Sequence, residues 1–409
     1  MMETTVKKLW NKNFILYIIA MEFNLIGTNL VKFVLPFYVL LETGNPALMG
    51  TILAFSTIPL ALFIPIGGIV ADRFSKKNIM VFMNVASAIT IMIYLGMSGI
   101  IAIVPATIIF FLLFSSFESM ISPTSEASTP FLVPKQDLVR ANSVTWVLSI
   151  FSTVGSPIIG GLILARLSLV SALYISVALY ALAIVVKLII KIPFAKQKMD
   201  TSLSKTIISD LIDGTRFAIQ EHKIKKILLS SVFIGLFLIP LTSIALPVLV
   251  SVHLGMEETF VGLAVGIISF GGTASILLLG LFGKSANITK TRSIFMICSL
   301  AIIPAGLGVL WIANTTLVFF VLIVSFFVAD GLSTMVNVLA STYIGEKTPE
   351  HMIGKVMSLY IAAIYLGGVV GNYIFGILFS NFIDTSGVLL LIIAGFAIVY
   401  SLLFLRIKE

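Results

Sequence analysis

The sequence predicts an all-α membrane protein of twelve transmembrane helices, arranged as two six-helix bundles related by pseudo-two-fold symmetry. Three observations support this fold class. Of the 409 residues, 59% are hydrophobic and only 11% are charged, whereas a soluble domain is about 25% charged. The apolar residues fall in twelve long stretches, and the second half of the chain repeats positions of the first at a constant offset.

The apolar stretches predict helices rather than barrel strands, because they are continuous and do not alternate with polar residues. Each is long enough to cross a hydrocarbon core of about 30 Å, which takes about 20 helical residues. The predicted spans are residues 13–41, 46–71, 78–101, 105–127, 141–165, 168–191, 227–251, 259–283, 293–313, 315–342, 353–380 and 386–405.

The lysines and arginines predict the orientation. All 26 except Lys32 and Arg166 lie at the termini, in the even-numbered turns or at the borders of these turns, and such bases favour the cytoplasmic side. We therefore expect both termini in the cytoplasm, and the net charge of +8 requires no nucleic acid. No small-residue cleavage site follows the first span, which we interpret as a retained helix.

One polar segment, residues 192–226, divides the chain into an N-terminal bundle (1–191) and a C-terminal bundle (227–409). Apolar residues in this linker recur at roughly helical spacing, which predicts an amphipathic helix on the inner membrane surface. A plain interdomain tether is the alternative. The recurring residues are Ile207, Ile208, Leu211, Ile212 and Phe217.

An internal repeat relates the two halves. Matching residues at one constant offset include Pro134 with Pro349, Arg140 with Lys355, Gly161 with Gly376, Gly68 with Gly283, and Asp72 with Asn287. A constant offset through two separate turns indicates that each half is a copy of one six-helix unit. Membrane proteins built from such repeats bind substrate near the bilayer midplane and expose the site to each side in turn.

The turn after the second span carries a family resemblance. It reads Gly68-Ile-Val-Ala-Asp72-Arg73-Phe-Ser-Lys76-Lys77. This resembles the signature turn of the major facilitator superfamily, Gly-x-x-x-Asp-Arg-x-Gly-Arg-Lys, with Ser75 in place of the second glycine and Lys76 in place of the arginine. The resemblance covers the whole chain and implies the major facilitator fold.

Two further elements narrow the resemblance. The fifth span contains Gly155-Ser-Pro157-Ile-Ile-Gly160-Gly161, similar to the Gly-Pro-x-x-Gly-Gly element of the family's antiporters except for Ser156. Segments 130–134 and 349–356 resemble the branch that contains macrolide-efflux proteins. The resemblance implies a drug:proton antiporter of the plasma membrane. Phe114 stands where drug antiporters often carry an arginine, so proton coupling here must use other groups or be absent.

Asp72 is the predicted gating residue. In the family fold its turn faces the start of the eleventh helix, whose positive dipole end attracts a carboxylate. That contact would hold the cytoplasmic side closed, with Gly68, Arg73, Lys76 and Lys77 forming the rest of the gating turn. The alternative is a topogenic turn in which Asp72 only neutralises the lysines.

Glu118 is the principal candidate for proton coupling. It lies midway along the fourth span, where a carboxyl should face a cavity, pair with a base or hold a proton. If a substrate cation displaces that proton, export of the substrate is coupled to movement of the proton. Phe111 and Phe114 share its helix face and could stack on a hydrophobic substrate. The structural alternative is an interhelical hydrogen bond beside packed aromatic rings.

Other polar residues are candidates for the same cavity. Glu22 and Lys32 lie about 15 Å apart along the first span, too far to pair, and Lys32 could instead neutralise Glu118 or extend to the membrane interface. Asp330, with Asn337 two turns later, is the candidate acid of the C-terminal half, and interhelical hydrogen bonding is its alternative role.

The fifth helix carries a predicted packing motif. Its glycines have no side chain, which lets helices approach closely, and its proline can bend the helix. The motif consists of Gly155, Pro157, Gly160 and Gly161. We expect this helix to form part of the interface that slides between the halves.

Other function classes lack their characteristic residues. Gly283-Lys284-Ser285 lacks the earlier glycine of a phosphate-binding loop, and neither metal ligands nor catalytic groups cluster in the sequence. We expect no cofactor, no metal and no catalytic residue, and a monomer. The resemblance thus implies proton-coupled efflux of amphipathic drugs, macrolide-like or of several kinds, by alternating access. Transport of another small solute, such as a siderophore or metabolite, and a channel or lipid scramblase remain alternatives.

Overall fold

A computed structural model of the chain describes residues 8–97, 99–193, 203–282 and 290–404. Within them, twelve helices are long and apolar enough to cross a membrane. The predicted fold class is confirmed, and the predicted spans agree with the helices to within a few residues at each end. The helices are α1 Lys12–Thr43, α2 Pro46–Arg73, α3 Lys76–Met97, α4 Ile103–Glu126, α5 Leu138–Arg166, α6 Leu169–Ile189, α7 Leu203–Gln220, α8 His222–His253, α9 Glu258–Phe282, α10 Thr291–Trp311, α11 Thr315–Lys347, α12 Glu350–Asn381 and α13 Ser386–Phe404.

Polar side chains cap several helices at the membrane boundary. Asn11 and Asn314 accept hydrogen bonds of 3.0 and 3.1 Å from backbone amides in the first turns of α1 and α11. Asn45 and Ser168 do the same for α2 and α6. These caps satisfy amides that have no partner within the helix. At its other end α1 stops at Gly44, whose φ of 60° favours glycine.

The α8 helix departs from regular α-geometry. Leu241–Ala245 and Leu249–His253 are π-helical, a form that frequently marks functional sites. Ser243, in the first of these turns, donates a hydrogen bond of 2.9 Å to Asn372 Oδ1 of α12. The sequence pattern of α8 carried no signal for these turns.

The two halves meet where α2 packs on α12 and α5 packs on α9. We call the side on which α1 begins and α13 ends the termini side. On the opposite side, the backbones of the two halves touch. A methyl group on Gly50 would lie 2.5 Å from the Asn372 carbonyl oxygen, and one on Gly161 would lie 2.5 Å from the Glu258 carbonyl oxygen. The structure is therefore closed on the side opposite the termini.

The linker contains the helix α7, which packs on α12. Ala218 is 1% exposed, and a methyl group on Gly214 would contact Lys355 Cβ at 3.0 Å. The other face of α7 is open, since Ile208 and Ile212 are 57% and 59% exposed. The side chain of Ile207 lies outside the described part of the chain. The domain limits and the position of α7 on a membrane surface remain predictions.

Candidate functional site

The carboxylate of Glu118 is the centre of a buried polar cluster in the N-terminal half. Glu118 lies on α4 and is only 8% exposed. Its Oε2 accepts a hydrogen bond from Thr28 Oγ1 of α1 at 2.7 Å. Its Oε1 accepts from Ser87 Oγ of α3 at 2.8 Å and from Tyr180 Oη of α6 at 2.9 Å. Four helices thus meet at one carboxylate, and we call these four residues the Glu118 cluster.

The partners of Glu118 in this cluster are hydroxyls, which can both donate and accept. An ionised carboxylate accepts from all three. A protonated carboxyl instead donates to one of them, and Thr28 can then turn its proton to the Asn24 carbonyl oxygen, 2.9 Å away. The cluster can therefore satisfy its hydrogen bonds in either protonation state, which arginine or lysine donors would not allow.

Two lysines add positive charge near the cluster. The ammonium groups of Lys32 on α1 and Lys187 on α6 both interact electrostatically with Glu118. Lys187 is 1% exposed, and its Nζ has no hydrogen-bond partner among the described residues. From the sequence alone, Lys187 is one of the bases at the border of an even-numbered turn. Its position two residues before the end of α6 was the available signal that it belongs to the bundle.

Other buried polar groups lie one turn from the cluster. Asn84 precedes Ser87 on α3, and Ser115 precedes Glu118 on α4; both are 0% exposed. The amide of Asn84 and the hydroxyl of Ser115 make no hydrogen bond within the described chain. Each unpartnered buried group costs about 1–3 kcal/mol. The functional role of Glu118 and its structural alternative both remain predictions.

The aromatic candidates are buried within the N-terminal half. Phe111 and Phe114 are 1% and 0% exposed. Phe114 stacks on Phe110 at 5.1 Å and meets the Tyr180 ring edge-on at 6.2 Å. These rings pack beside the Glu118 cluster and give it an apolar border. Contact of the rings with a substrate remains a prediction.

Glu22 lies at a different contact, between α1 and α5. Its Oε2 accepts a short hydrogen bond from Ser152 Oγ. Glu22 is half-buried, so the structure does not place it in the Glu118 cluster.

The acid of the C-terminal half lies against α9. A methyl group on Gly272 would come within 2.6 Å of Asp330 Oδ2, so this glycine leaves room for the carboxyl. Asp330 and Thr242 of α8 also line a small cavity of about 10 Å³, the size that holds about one water molecule. Asn337 lies apart and accepts a hydrogen bond of 2.9 Å from Tyr360 Oη.

Two glycines of the fifth-helix motif contact two different helices, α1 and α9. A methyl group on Gly160 would lie 2.7 Å from the Phe33 ring of α1, whereas Gly161 and the Pro157 carbonyl face Gly262 of α9. Around Gly155, no described atom lies within 4 Å of an added methyl group. The close approach between the halves thus involves the second part of the motif.

The gating turn lies on the termini side. Gly68 lines a cavity between the halves. Lys76 Nζ lies 4.9 Å from the centre of the Phe131 ring, and Lys77 Nζ donates to the Leu188 carbonyl oxygen at 2.5 Å. Arg73 is the last residue of α2. The side chain of Asp72 and the second copy of the turn, residues 283–289, lie outside the described part of the chain, so the predicted gate contact remains a prediction.

The comparison with known families decides the class. A sequence model of the Major Facilitator Superfamily matches residues 17–372 and 228–409. The chain belongs to this superfamily. It is a multi-pass membrane transporter, as the turn from Gly68 to Lys77 indicated.

Relatives in this superfamily include exporters. Macrolide efflux protein A of Streptococcus pyogenes is 25% identical over 293 residues, which are 70% of this chain and 71% of that protein. The enterobactin exporter EntS of Shigella boydii is 23% identical over 361 residues, 88% of this chain and 83% of that protein. The chain spans 41% of the length of YfiS, an uncharacterised transporter of Bacillus subtilis that is 24% identical over 175 residues.

Solved structures share the architecture. The crystal structure of the nucleoside transporter NupG has a TM-score of 0.77 with this chain and covers 98% of it, with 100% of NupG covered in turn. The identity is 18%, so this likeness concerns the fold alone.

Proposed function

We propose that this member of the Major Facilitator Superfamily exports amphipathic compounds in exchange for protons, by alternating access across the plasma membrane. The observation that carries the proposal is the Glu118 cluster. A carboxyl that is buried in one half and satisfied in both protonation states is suited to take up and release a proton without unfolding its surroundings.

Proton uptake at Glu118 would act on the packing of the N-terminal half. Protonation removes the negative charge that faces Lys32 and Lys187, which lie on α1 and α6. The electrostatic attraction that draws these helices toward α4 then weakens. A proton that is bound in one conformation and released in the other shifts the equilibrium between them.

Alternating access is supported by the asymmetry between the two sides. The halves touch at Gly50 and Gly161 on the side opposite the termini, and a cavity separates them on the termini side. The distribution of lysine and arginine puts both termini in the cytoplasm. The conformation is then inward-facing, and Asp72, at the cytoplasmic end of α2, is the proposed gate residue.

Efflux as the direction is supported by the names of two relatives, a macrolide efflux protein and an enterobactin exporter. We favour amphipathic drugs of the macrolide type as substrates. The match to EntS covers more of this chain than the match to the macrolide protein, so export of a siderophore or another small metabolite is the second candidate.

The decisive experiment uses inside-out membrane vesicles with an acidic lumen. The wild type should accumulate the probes ethidium and erythromycin when the pH gradient is imposed. Glu118→Gln, which keeps the shape of the side chain but cannot ionise, should lose this pH-driven uptake and keep exchange of substrate for substrate.

Asp384→Asn is the matched control, because Asp384 is an exposed acid outside the cluster. Its uptake should equal that of the wild type. Undiminished pH-driven uptake by Glu118→Gln would refute the assignment of Glu118. Flux that neither saturates nor depends on a gradient would indicate a channel or lipid scramblase instead.

A further inference from the structure

A cavity of about 640 Å³ lies between the two halves on the termini side, away from the Glu118 cluster. This volume is within the range of pockets that hold drug-sized ligands. Four helices contribute to its walls: α2 with Ile64 to Ile69, α4 with Ser122 to Glu126, α7 with Asp210 and Leu211, and α12 with Gly354 to Tyr365. We call it the termini-side cavity.

The described charged residues that line this cavity are Glu126, Asp210 and Lys355. Lys355 Nζ lies 2.8 Å from Asp210 Oδ1 and 3.0 Å from Asp213 Oδ2. Lys355 is thus already paired with two carboxylates, and the described residues of the lining carry more negative than positive charge.

Glu126 supplies the second negative charge among the described residues of the lining. Its described contact is a weak hydrogen bond of 3.4 Å from Ser122 Oγ, and no described base forms an ion pair with it. Glu126 is also the last residue of α4, where the negative end of the helix dipole disfavours a carboxylate. A bound cation would balance the charge of this carboxylate and offset its repulsion by the helix dipole.

The rest of the lining is apolar and aromatic. The lining includes Tyr365, Met357 and Ile361 of α12 and Pro65 and Ile69 of α2. A tyrosine ring attracts organic cations through its π-face, and a methionine side chain adapts to varied apolar shapes. This lining is unsuited to a small hydrated metal ion, which prefers several converging oxygen ligands.

We infer that the termini-side cavity is a capture site for organic cations with an apolar body, with Glu126 as the counter-charge and Tyr365 as the aromatic wall. The inference rests on the proposed export function, because that function makes this the side from which substrate enters. The site lies at the membrane boundary, so substrate would bind here before it moves toward the midplane.

The test is equilibrium binding of ethidium, a fluorescent organic cation, to the purified full-length protein in nanodiscs. Glu126→Gln should raise the Kd about tenfold, and Glu126→Asp should retain most of the affinity. N-phenyl-1-naphthylamine, a neutral amphipathic probe, should bind wild type and Glu126→Gln alike. Glu346→Gln, a change at an exposed acid on the same side outside the cavity lining, is the control.

The outcomes separate this inference from the proposed function. Binding is measured at equilibrium without a pH gradient, so its outcome does not depend on proton exchange. If pH coupling fails in every assay but binding still depends on Glu126, the capture site stands without proton exchange. The inference is overturned if the wild type does not bind ethidium, or if Glu126→Gln and Glu346→Gln bind it equally well.

Discussion

The hydroxyl of Tyr180 lies 2.9 Å from Glu118 Oε1 and 2.8 Å from Thr28 Oγ1. A phenol has one proton, so at any moment Tyr180 donates to the carboxylate or to the threonine. This choice links the protonation of Glu118 to hydrogen bonds on α1 and α6.

Removal of the Tyr180 hydroxyl should impair transport. Tyr180→Phe keeps the ring that packs against Phe114 but deletes a hydrogen bond to a carboxylate, a contact of about 1.5–3 kcal/mol. We expect pH-driven uptake into inside-out vesicles to fall about tenfold. Tyr174→Phe, at a tyrosine of the same helix that is 54% exposed, should transport like the wild type. Equal rates for the two variants would exclude a role for this hydroxyl.

Replacement of Lys187 should separate stability from function. A buried ammonium without a hydrogen-bond partner is costly, and its replacement by an apolar residue of similar length is often stabilising. We expect Lys187→Met to raise the melting temperature by about 2 °C while pH-driven uptake decreases. Lys191→Met, at an exposed position just beyond α6, should change neither quantity. A fall in melting temperature would show that the interaction of Lys187 with Glu118 outweighs the cost of burying the ammonium group.

The sequence predicted the helices of this protein well and the surroundings of its polar residues poorly, for a physical reason. A membrane span is defined by local composition, because lipid requires about 20 consecutive apolar residues. The partners of Glu118 depend instead on how helices rotate against one another. Ser87 and Tyr180 lie 31 and 62 residues from Glu118 along the chain, and no spacing rule connects them.

The glycines show the same limit. A small-residue motif predicts close packing but not which neighbour is approached, so Gly155 and Gly161 look equivalent in the sequence. In the structure, an added methyl group meets the backbone of the other half at Gly161 and no described atom within 4 Å at Gly155. A substitution at Gly161 should therefore affect the contact between the halves, whereas one at Gly155 should not.

Gly161→Ala should shift the protein toward the conformation that is open on the side opposite the termini. The added methyl group would lie 2.5 Å from the Glu258 carbonyl oxygen, so the closed contact between α5 and α9 must loosen. Spin labels at Glu42 and Asp384, both exposed on that side, should then report a longer distance in double electron–electron resonance. Gly155→Ala should leave the distance distribution as in the wild type. An unchanged distribution for Gly161→Ala would mean that the contact yields locally.

Because Lys355 pairs with Asp210, its replacement should change the affinity for ethidium in the direction opposite to replacement of Glu126. Lys355→Met removes the positive charge from the lining of the termini-side cavity and leaves Asp210 unpaired, so the negative charge available to a cation increases. We expect ethidium to bind about threefold to tenfold more tightly. Because the pair is partly exposed, it contributes about 0–1 kcal/mol to stability, and the packing of Ala218 should keep α7 in place.

Lys347→Met is the control for this change, since Lys347 is an exposed lysine at the end of α11, outside the cavity lining. Its ethidium affinity should match that of the wild type. Weaker binding by Lys355→Met at an unchanged melting temperature would show that Lys355 itself contacts the ligand, which would reverse the charge assigned to the site. Tighter binding that requires Glu126, tested in the double variant with Glu126→Gln, would place the cation between that carboxylate and α12.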